Sequence, residues 1–208
     1  MELFAAILSI AAALTLGAMS PGPSFILVAR TSLAVSRRDG LAAAVGMGVG
    51  GVLFSAIAVL GLLAIFTAVP LIHLALKVLG GAYLVYLGYQ IWRGARQALV
   101  IENASRQSQP AQVWRSFVLG LVTQVSNPKT AIVYASVFAS LLPRDIPPLG
   151  LVAVPVMVFA IETLWYSVVA LALSSPSPRA RYLASKAWID RTAGAIMSSL
   201  GLKLIFEA

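Results

Sequence analysis

Ser126-Asn127-Pro128-Lys129-Thr130 is a polar, helix-breaking stretch carrying a full positive charge, set inside a long apolar run. The nearest other charges to Lys129 are Arg115 and Arg144. At about 1.5 Å of rise per residue, each lies roughly 20 Å away along a helix. A lysine stem snorkels only a few ångströms, so from mid-segment the ammonium needs a partner or water inside the protein. Pro128 has no N–H, which deprives the carbonyl of Gln124 of its helical donor and disfavours helical geometry at Asn127. Broken backbone at membrane depth is tolerated where it lines a cavity or is buried in protein.

A second interruption, Ser20-Pro21-Gly22-Pro23-Ser24, lies in the first apolar segment, where the two prolines free the carbonyls of Gly17 and Met19. Around these breaks the composition is that of a polytopic membrane protein. The chain has 208 residues, of which 60% are hydrophobic and 11% charged. A soluble domain carries about a quarter charged residues. The net charge of +8 raises the question of nucleic acid, but the basic residues sit in short connections between apolar spans, and no basic, aromatic-interleaved soluble domain is present. With no cysteine, disulfide scaffolds, thiolate metal sites and thiol relays are excluded. Met1-Glu2-Leu3-Phe4 lacks the basic start of a cleaved signal, so the first segment is expected to remain as a span.

Six segments follow in order: about Leu3 to Arg30, broken at the prolines; Leu41 to Phe66; a third that follows a turn marked by Pro70 and runs to about Trp92; Ser116 to Leu142, broken at Pro128; Leu149 to Leu173; and a short last one, Thr192 to Phe206. Arg37-Arg38-Asp39-Gly40 reads as a basic turn, residues 94–114 as a flexible cytoplasmic loop, and Ser174 to Asp190 as a second basic loop. Ala42, Gly46 and Gly50 form a small-residue stripe suited to close helix packing. His73 and Lys77, near a segment start, read as interfacial or snorkelling residues, and Tyr86 and Gln90 share a helical face. Glu162, midway between Asp145 and Arg179, is the second charge near mid-membrane.

Orientation follows from the basic residues. Arg30, Arg37, Arg38, Arg93, Arg96, Arg106, Arg115, Arg179, Arg181, Lys186 and Arg191 fall on one side, and Lys77, Arg144 and Lys203 on the other. Both termini are therefore expected outside. Setting residue n against n+106 aligns Ser20 with Ser126, Ser24 with Thr130, Ile26 with Ile132, Ala29 with Ala135, Arg38-Asp39 with Arg144-Asp145 and Pro70 with Pro176. The expected fold is an all-α polytopic membrane protein. It is a single transmembrane domain over residues 1–208, with six transmembrane helices as two inverted three-helix repeats, 1–93 and 115–208, and with helices one and four broken. Matching broken helices in inverted halves point to a transport site at the bilayer midplane.

These motifs together resemble the LysE/RhtB family of bacterial amino-acid exporters. The resemblance rests on Ser20-Pro21-Gly22-Pro23, Gly40 and the glycine-rich start of the second segment. It also rests on the stretch from Leu76-Lys77-Val78 to Tyr86-Leu87-Gly88, on Asn127-Pro128-Lys129, and on Asp190-Arg191 to Gly201-Leu202-Lys203. It covers essentially the whole chain. It implies an inner-membrane exporter, usually of six spans, that moves amino acids or close derivatives outward on the proton gradient, and it supports keeping the short last segment as a span.

The leading reading is a secondary transporter for a small zwitterion. Pro21, Gly22, Pro23, Gln124, Asn127, Pro128 and Lys129 are the candidate substrate-binding positions, and Glu162 is the candidate proton-coupling residue. Lys129 and a half-helix amino end suit a carboxylate, while unpaired carbonyls and Glu162 suit an ammonium. A glutamate in low dielectric is also able to take up a proton near neutral pH. Against this stands a purely structural Lys129–Glu162 ion pair with prolines that merely kink their helices. An integral membrane enzyme is disfavoured by one histidine, no cysteine and no acid cluster; a structural membrane subunit is the third alternative. No cofactor or metal is expected. The partners are an amino-acid substrate and membrane lipid, with no nucleic acid and with homo-oligomerisation left open.

Overall fold

The computed structural model describes residues 2–68, 72–97, 112–143, 146–174 and 176–206. Within them the regular structure is α-helical: α1 (Glu2–Met19), α2 (Pro23–Ala34), α3 (Arg37–Ala68), α4 (Ile72–Gly94), α5 (Val113–Ser126), α6 (Pro128–Leu141), α7 (Pro148–Leu173) and α8 (Pro176–Phe206). By length and composition α3, α4 and α7 each contain a stretch able to cross a bilayer, and α1 with α2 qualify together as a pair bent by 58°. The first apolar segment is thus broken where its prolines fall. The fourth is broken as well, into α5 and α6, with Asn127 alone between them.

The surface is apolar and the interior holds polar groups. Ile57, Leu60, Leu79, Val152, Val156 and Leu164 are exposed, whereas Ser24, Asp39, Gln124, Asn127, Glu162, Lys186 and Asp190 are buried. That distribution suits hydrocarbon outside and a polar path within.

Two expectations change. Arg37-Arg38-Asp39-Gly40 is the first turn of α3 rather than a free turn. Ser36 accepts from the Asp39 N–H at 3.1 Å and donates to its carboxylate at 2.5 Å, a reciprocal cap that starts the helix. The carboxylate also ties α3 to the start of α5, accepting from the Gln112 N–H (3.1 Å) and the Ser116 hydroxyl (2.9 Å). Residues 176–190, expected as loop, belong to α8, whose 31 residues run about 46 Å. Pro176 sits in its first turn, where a missing N–H leaves no helical bond unmade, and Lys186 and Asp190 at i, i+4 support it. Residues 98–111 of the expected cytoplasmic loop lie outside the described residues, as do Pro70, Arg144 and Asp145 and the side chain of His73.

Glycines set the closest helix contacts and reveal which helices run together. A Cβ at Gly81 would stand 2.9 Å from the Gly201 carbonyl oxygen, and one at Gly194 would stand 2.6 Å from that of Gly88. Contact moves back along α8 as it moves forward along α4, so these two helices are antiparallel. The same holds for α3 and α7, where Gly40 faces Ala170 and Gly51 faces Val158. Along α3 and α5 the order is parallel: Ala43 meets Gly120, and Gly50 meets Gln124. The Ala42-Gly46-Gly50 side of α3 packs here, since a Cβ at Gly46 would collide with the Phe117 carbonyl.

Two apolar clusters result. One joins α1, α6, α4 and the first half of α7 through Ile10, Leu14, Val137, Phe138, Leu84 and Val158. The other joins α2, the start of α3 and the last turns of α7 through Phe25, Val28, Met47, Tyr166 and Leu173. The helix breaks lie between them. At the breaks Pro23 opens α2 and Pro128 opens α6. Each proline takes the first turn of its half-helix, the position that requires no N–H.

Candidate functional site

At the first break Gly22 is the N-cap of α2, in extended conformation (φ −158°, ψ −170°), and carries no side chain with which to cap. At the second break Asn127 is the N-cap of α6, and its Oδ1 accepts from the Lys129 N–H at 3.0 Å. Both half-helices therefore present the amino ends that bear partial positive charge. The carbonyl of Gln124, stripped of its helical donor by Pro128, instead accepts from the Asn127 N–H at 3.2 Å.

Three hydrogen bonds join the breaks across the sequence. Ser24 donates its hydroxyl to Gln124 Oε1 (2.8 Å), Asn127 Nδ2 donates to Ser24 Oγ (2.9 Å), and Lys129 Nζ donates to the Ser20 carbonyl (2.7 Å). Gln124 thus contributes through its side-chain amide rather than its carbonyl, and at the first break it is the Ser20 carbonyl that is engaged across the gap. Gly22 lies against the lysine stem, for a Cβ there would be 3.4 Å from Lys129 Cδ. Charge-assisted bonds of this kind contribute about 1.5–3 kcal/mol, comparable with the roughly 2.5–3.5 kcal/mol that a central charge costs on insertion.

Glu162 stands on the neighbouring α7, only 3% exposed. Its Oε1 accepts from the Tyr134 hydroxyl at 2.8 Å, and its Oε2 has no hydrogen-bond partner. Gly51 makes room for this pair: a Cβ there would sit 3.0 Å from the Tyr134 hydroxyl and 3.1 Å from Glu162 Cγ. Lys129 and Glu162 line one small cavity of about 20 Å³ with Ser20, Gly22, Tyr134 and Tyr166, enough for on the order of one water molecule. They are not bonded to each other. Each has its own partner, so a direct structural ion pair is not the arrangement adopted.

A second cavity, about 350 Å³, shares Ser20 and Lys129 with the first and is lined as well by Gly94 and Gln97. Pro21, Gln90, Lys186 and Asp190 also line it. Its size falls within the range of small-molecule sites, about 300–1,000 Å³. Gln90 Nε2 donates to the Tyr86 hydroxyl at 2.5 Å, which fits their shared face. Among the described residues no cluster of three or more His, Cys, Asp or Glu is able to hold a metal ion.

A family profile described as LysE type translocator matches residues 15–208. The chain belongs to that family. It is therefore a transport protein rather than an enzyme. It is 32% identical to the threonine efflux protein of Escherichia coli K12 over 91% of this chain and 92% of that one. With the threonine efflux protein of Salmonella typhi it shares 34% identity at the same coverage. It is also 28% identical to an uncharacterised membrane protein of Haemophilus influenzae, covering 92% of this chain and 91% of that one. No solved structure matches.

The structure brings all the sequence-derived positions except Glu162 to the two breaks and places Glu162 across the small cavity from Lys129. Sequence reasoning missed Ser24, Tyr134, Gly51, Lys186 and Asp190. A signal existed for Ser24, which the internal alignment pairs with Thr130, and for Lys186 and Asp190, which are spaced as a helical pair. Replacing Pro128 with alanine restores an N–H to the Gln124 carbonyl and lets α5 run into α6. The variant is expected to insert and accumulate as the wild type does while its export rate falls at least tenfold, measured as efflux from preloaded cells against abundance on immunoblots.

Proposed function

We propose that the chain is a secondary transporter that exports amino acids or close derivatives across the bacterial inner membrane, driven by the proton gradient. The observation that carries this reading is the meeting of two broken helices at Lys129, whose ammonium faces both a water-sized cavity holding Glu162 and a larger cavity of substrate size. Among the described residues only one of the lysine's three N–H donors is engaged, leaving the others for a substrate carboxylate. The amino ends of α2 and α6 add to the same positive field. The threonine efflux relatives support an amino acid as cargo.

In this reading α1–α2 and α5–α6 are each one span, and α8 crosses as the sixth. The antiparallel pairs α4–α8 and α3–α7 and the parallel pair α3–α5 are the directions that six alternating spans require. They support two three-helix halves of opposite direction with both termini on one side, and the excess of basic residues in the connections puts that side outside. The larger cavity then faces the cytoplasm, because Gly94 and Gln97, which line it, lie beside Arg93 and Arg96 in the chain, on the side that carries the excess of basic residues. Glu162 carries the coupling proton. It is closed off from that cavity by the Lys129–Ser20 contact, so proton and cargo occupy separate compartments.

The chain has no native cysteine, so single cysteines report orientation directly. One at Gln97 is expected to react with an impermeant thiol reagent only from the cytoplasm, and one at Pro147 only from outside; the opposite result at either position removes the proposed orientation.

Function is tested by export from cells loaded with dipeptides. Glu162→Gln is expected to abolish accumulation against a gradient yet retain downhill exchange, and Lys129→Met to lose both. Since the two residues have different partners, the double variant should be as inactive as Lys129→Met. Recovered export in the double variant would return the pair to a structural role.

A further inference from the structure

Asp190 is 3% exposed and Lys186 is 7% exposed, and they form an ion pair of 2.6 Å on the face of α8 that lines the larger cavity. The pair is incomplete. Lys186 holds Oδ2, and Oδ1 of Asp190 is buried without a partner. A desolvated carboxylate oxygen left bare is destabilising, and a carboxylate with an unused acceptor on a residue that lines a cavity suits a cation brought by a ligand. The same cavity is lined by Lys129, in the first turn of α6. Lys186 is already engaged by Asp190, so among the described lining residues Lys129 is the cation left for a carboxylate, while the acid with the bare oxygen takes an ammonium.

We infer that Asp190 is the ammonium-recognising residue of the cytoplasmic cavity. It receives the free α-amino group of the cargo on Oδ1 while Lys129 holds the carboxylate, and Lys186 fixes the orientation of Asp190 as a positioning residue. The inference rests on the exporter reading above and extends it. It specifies a cargo with an unmodified amino group and leaves Glu162 free for the proton. A buried carboxylate already held by a lysine is an acceptor of fixed geometry, whereas an N-acylated cargo offers it a single neutral amide N–H and no charge. The cavity therefore discriminates free amino acids from N-acyl derivatives.

The test uses inside-out vesicles containing the full chain, supplied with a mixture of the common L-amino acids and an equal mixture of their N-acetyl derivatives, with luminal content read by mass spectrometry. The wild type is expected to take up the free amino acids in preference. Asp190→Asn should raise KM for them at least tenfold and erase the preference over N-acetyl forms. Lys186→Met, which leaves the carboxylate in place, should keep that preference even where its rate is lower. If Asp190→Asn retains the preference, or if Lys186→Met loses it to the same degree, the pair is structural and the inference is wrong. Should Asp190→Asn fail to accumulate, the Lys186→Met result decides alone. Absence of amino-acid uptake by the wild type would overturn the exporter reading itself, and this inference with it; wild-type uptake with an unaltered Asp190→Asn profile overturns the inference only.

Discussion

The bond from Lys129 Nζ to the Ser20 carbonyl, 2.7 Å long, is the contact on which the rest of the arrangement depends. Each side of it would be unfavourable alone. A lysine at the centre of a span lacks water, and a carbonyl at a helix break lacks a donor. Joined, each removes the other's deficit. Ser24, Gln124 and Asn127 complete the junction, so that the two interruptions form a single polar layer between two apolar clusters. The glycine seams hold the layer in register: α3 approaches α5 and α7 closely enough for Gly50 to seat Gln124 and for Gly51 to seat Glu162 with Tyr134.

That contact also divides the interior into unequal parts. On one side is a space of about 20 Å³ around Glu162, on the other one of about 350 Å³ reaching Gly94 and Gln97. In the proposed orientation this is an inward-facing state, with the outward path closed by the packing of α1 on α6, where Gly17 lies against Val133. Alternating access then requires the half-helices to separate at hinges the chain already contains, since the residues between α1 and α2 and the single residue between α5 and α6 are not helical. The two hinges differ in length. The first spans Ser20, Pro21 and Gly22 and carries the 58° bend, while the second is Asn127 alone, fastened by its own cap bond.

The breaks were legible in the sequence because proline and charge inside an apolar run have few physical readings, and both Lys129 and Glu162 stood out for that reason. What the residues do there was less legible. Gln124 was singled out for its carbonyl, yet the adjacent Asn127 N–H closes that carbonyl and the side chain makes the long-range bond. Asp190 and Lys186 were hidden by their neighbours. With Arg179, Arg181 and Arg191 nearby they read as a solvated basic loop, whereas a helix starting at Pro176 turns those two side chains inward and the tyrosine at 182 onto Phe25. Tyr134 carried no signal, because a tyrosine in a span has the ordinary readings of packing or an aromatic belt until its tertiary partner is known.

The most direct measurement of the central claim is substrate protection at Ser20, which with Lys129 borders both cavities. In the naturally cysteine-free chain, Ser20→Cys preserves the backbone carbonyl that Lys129 requires and places a single thiol at the junction. Its labelling by a small thiol reagent in inside-out vesicles is measured with and without a saturating mixture of amino acids. The account predicts a severalfold slower reaction in the presence of free amino acids and no slowing by their N-acetyl derivatives. Equal labelling rates with and without amino acids, in vesicles that still transport them, would contradict it.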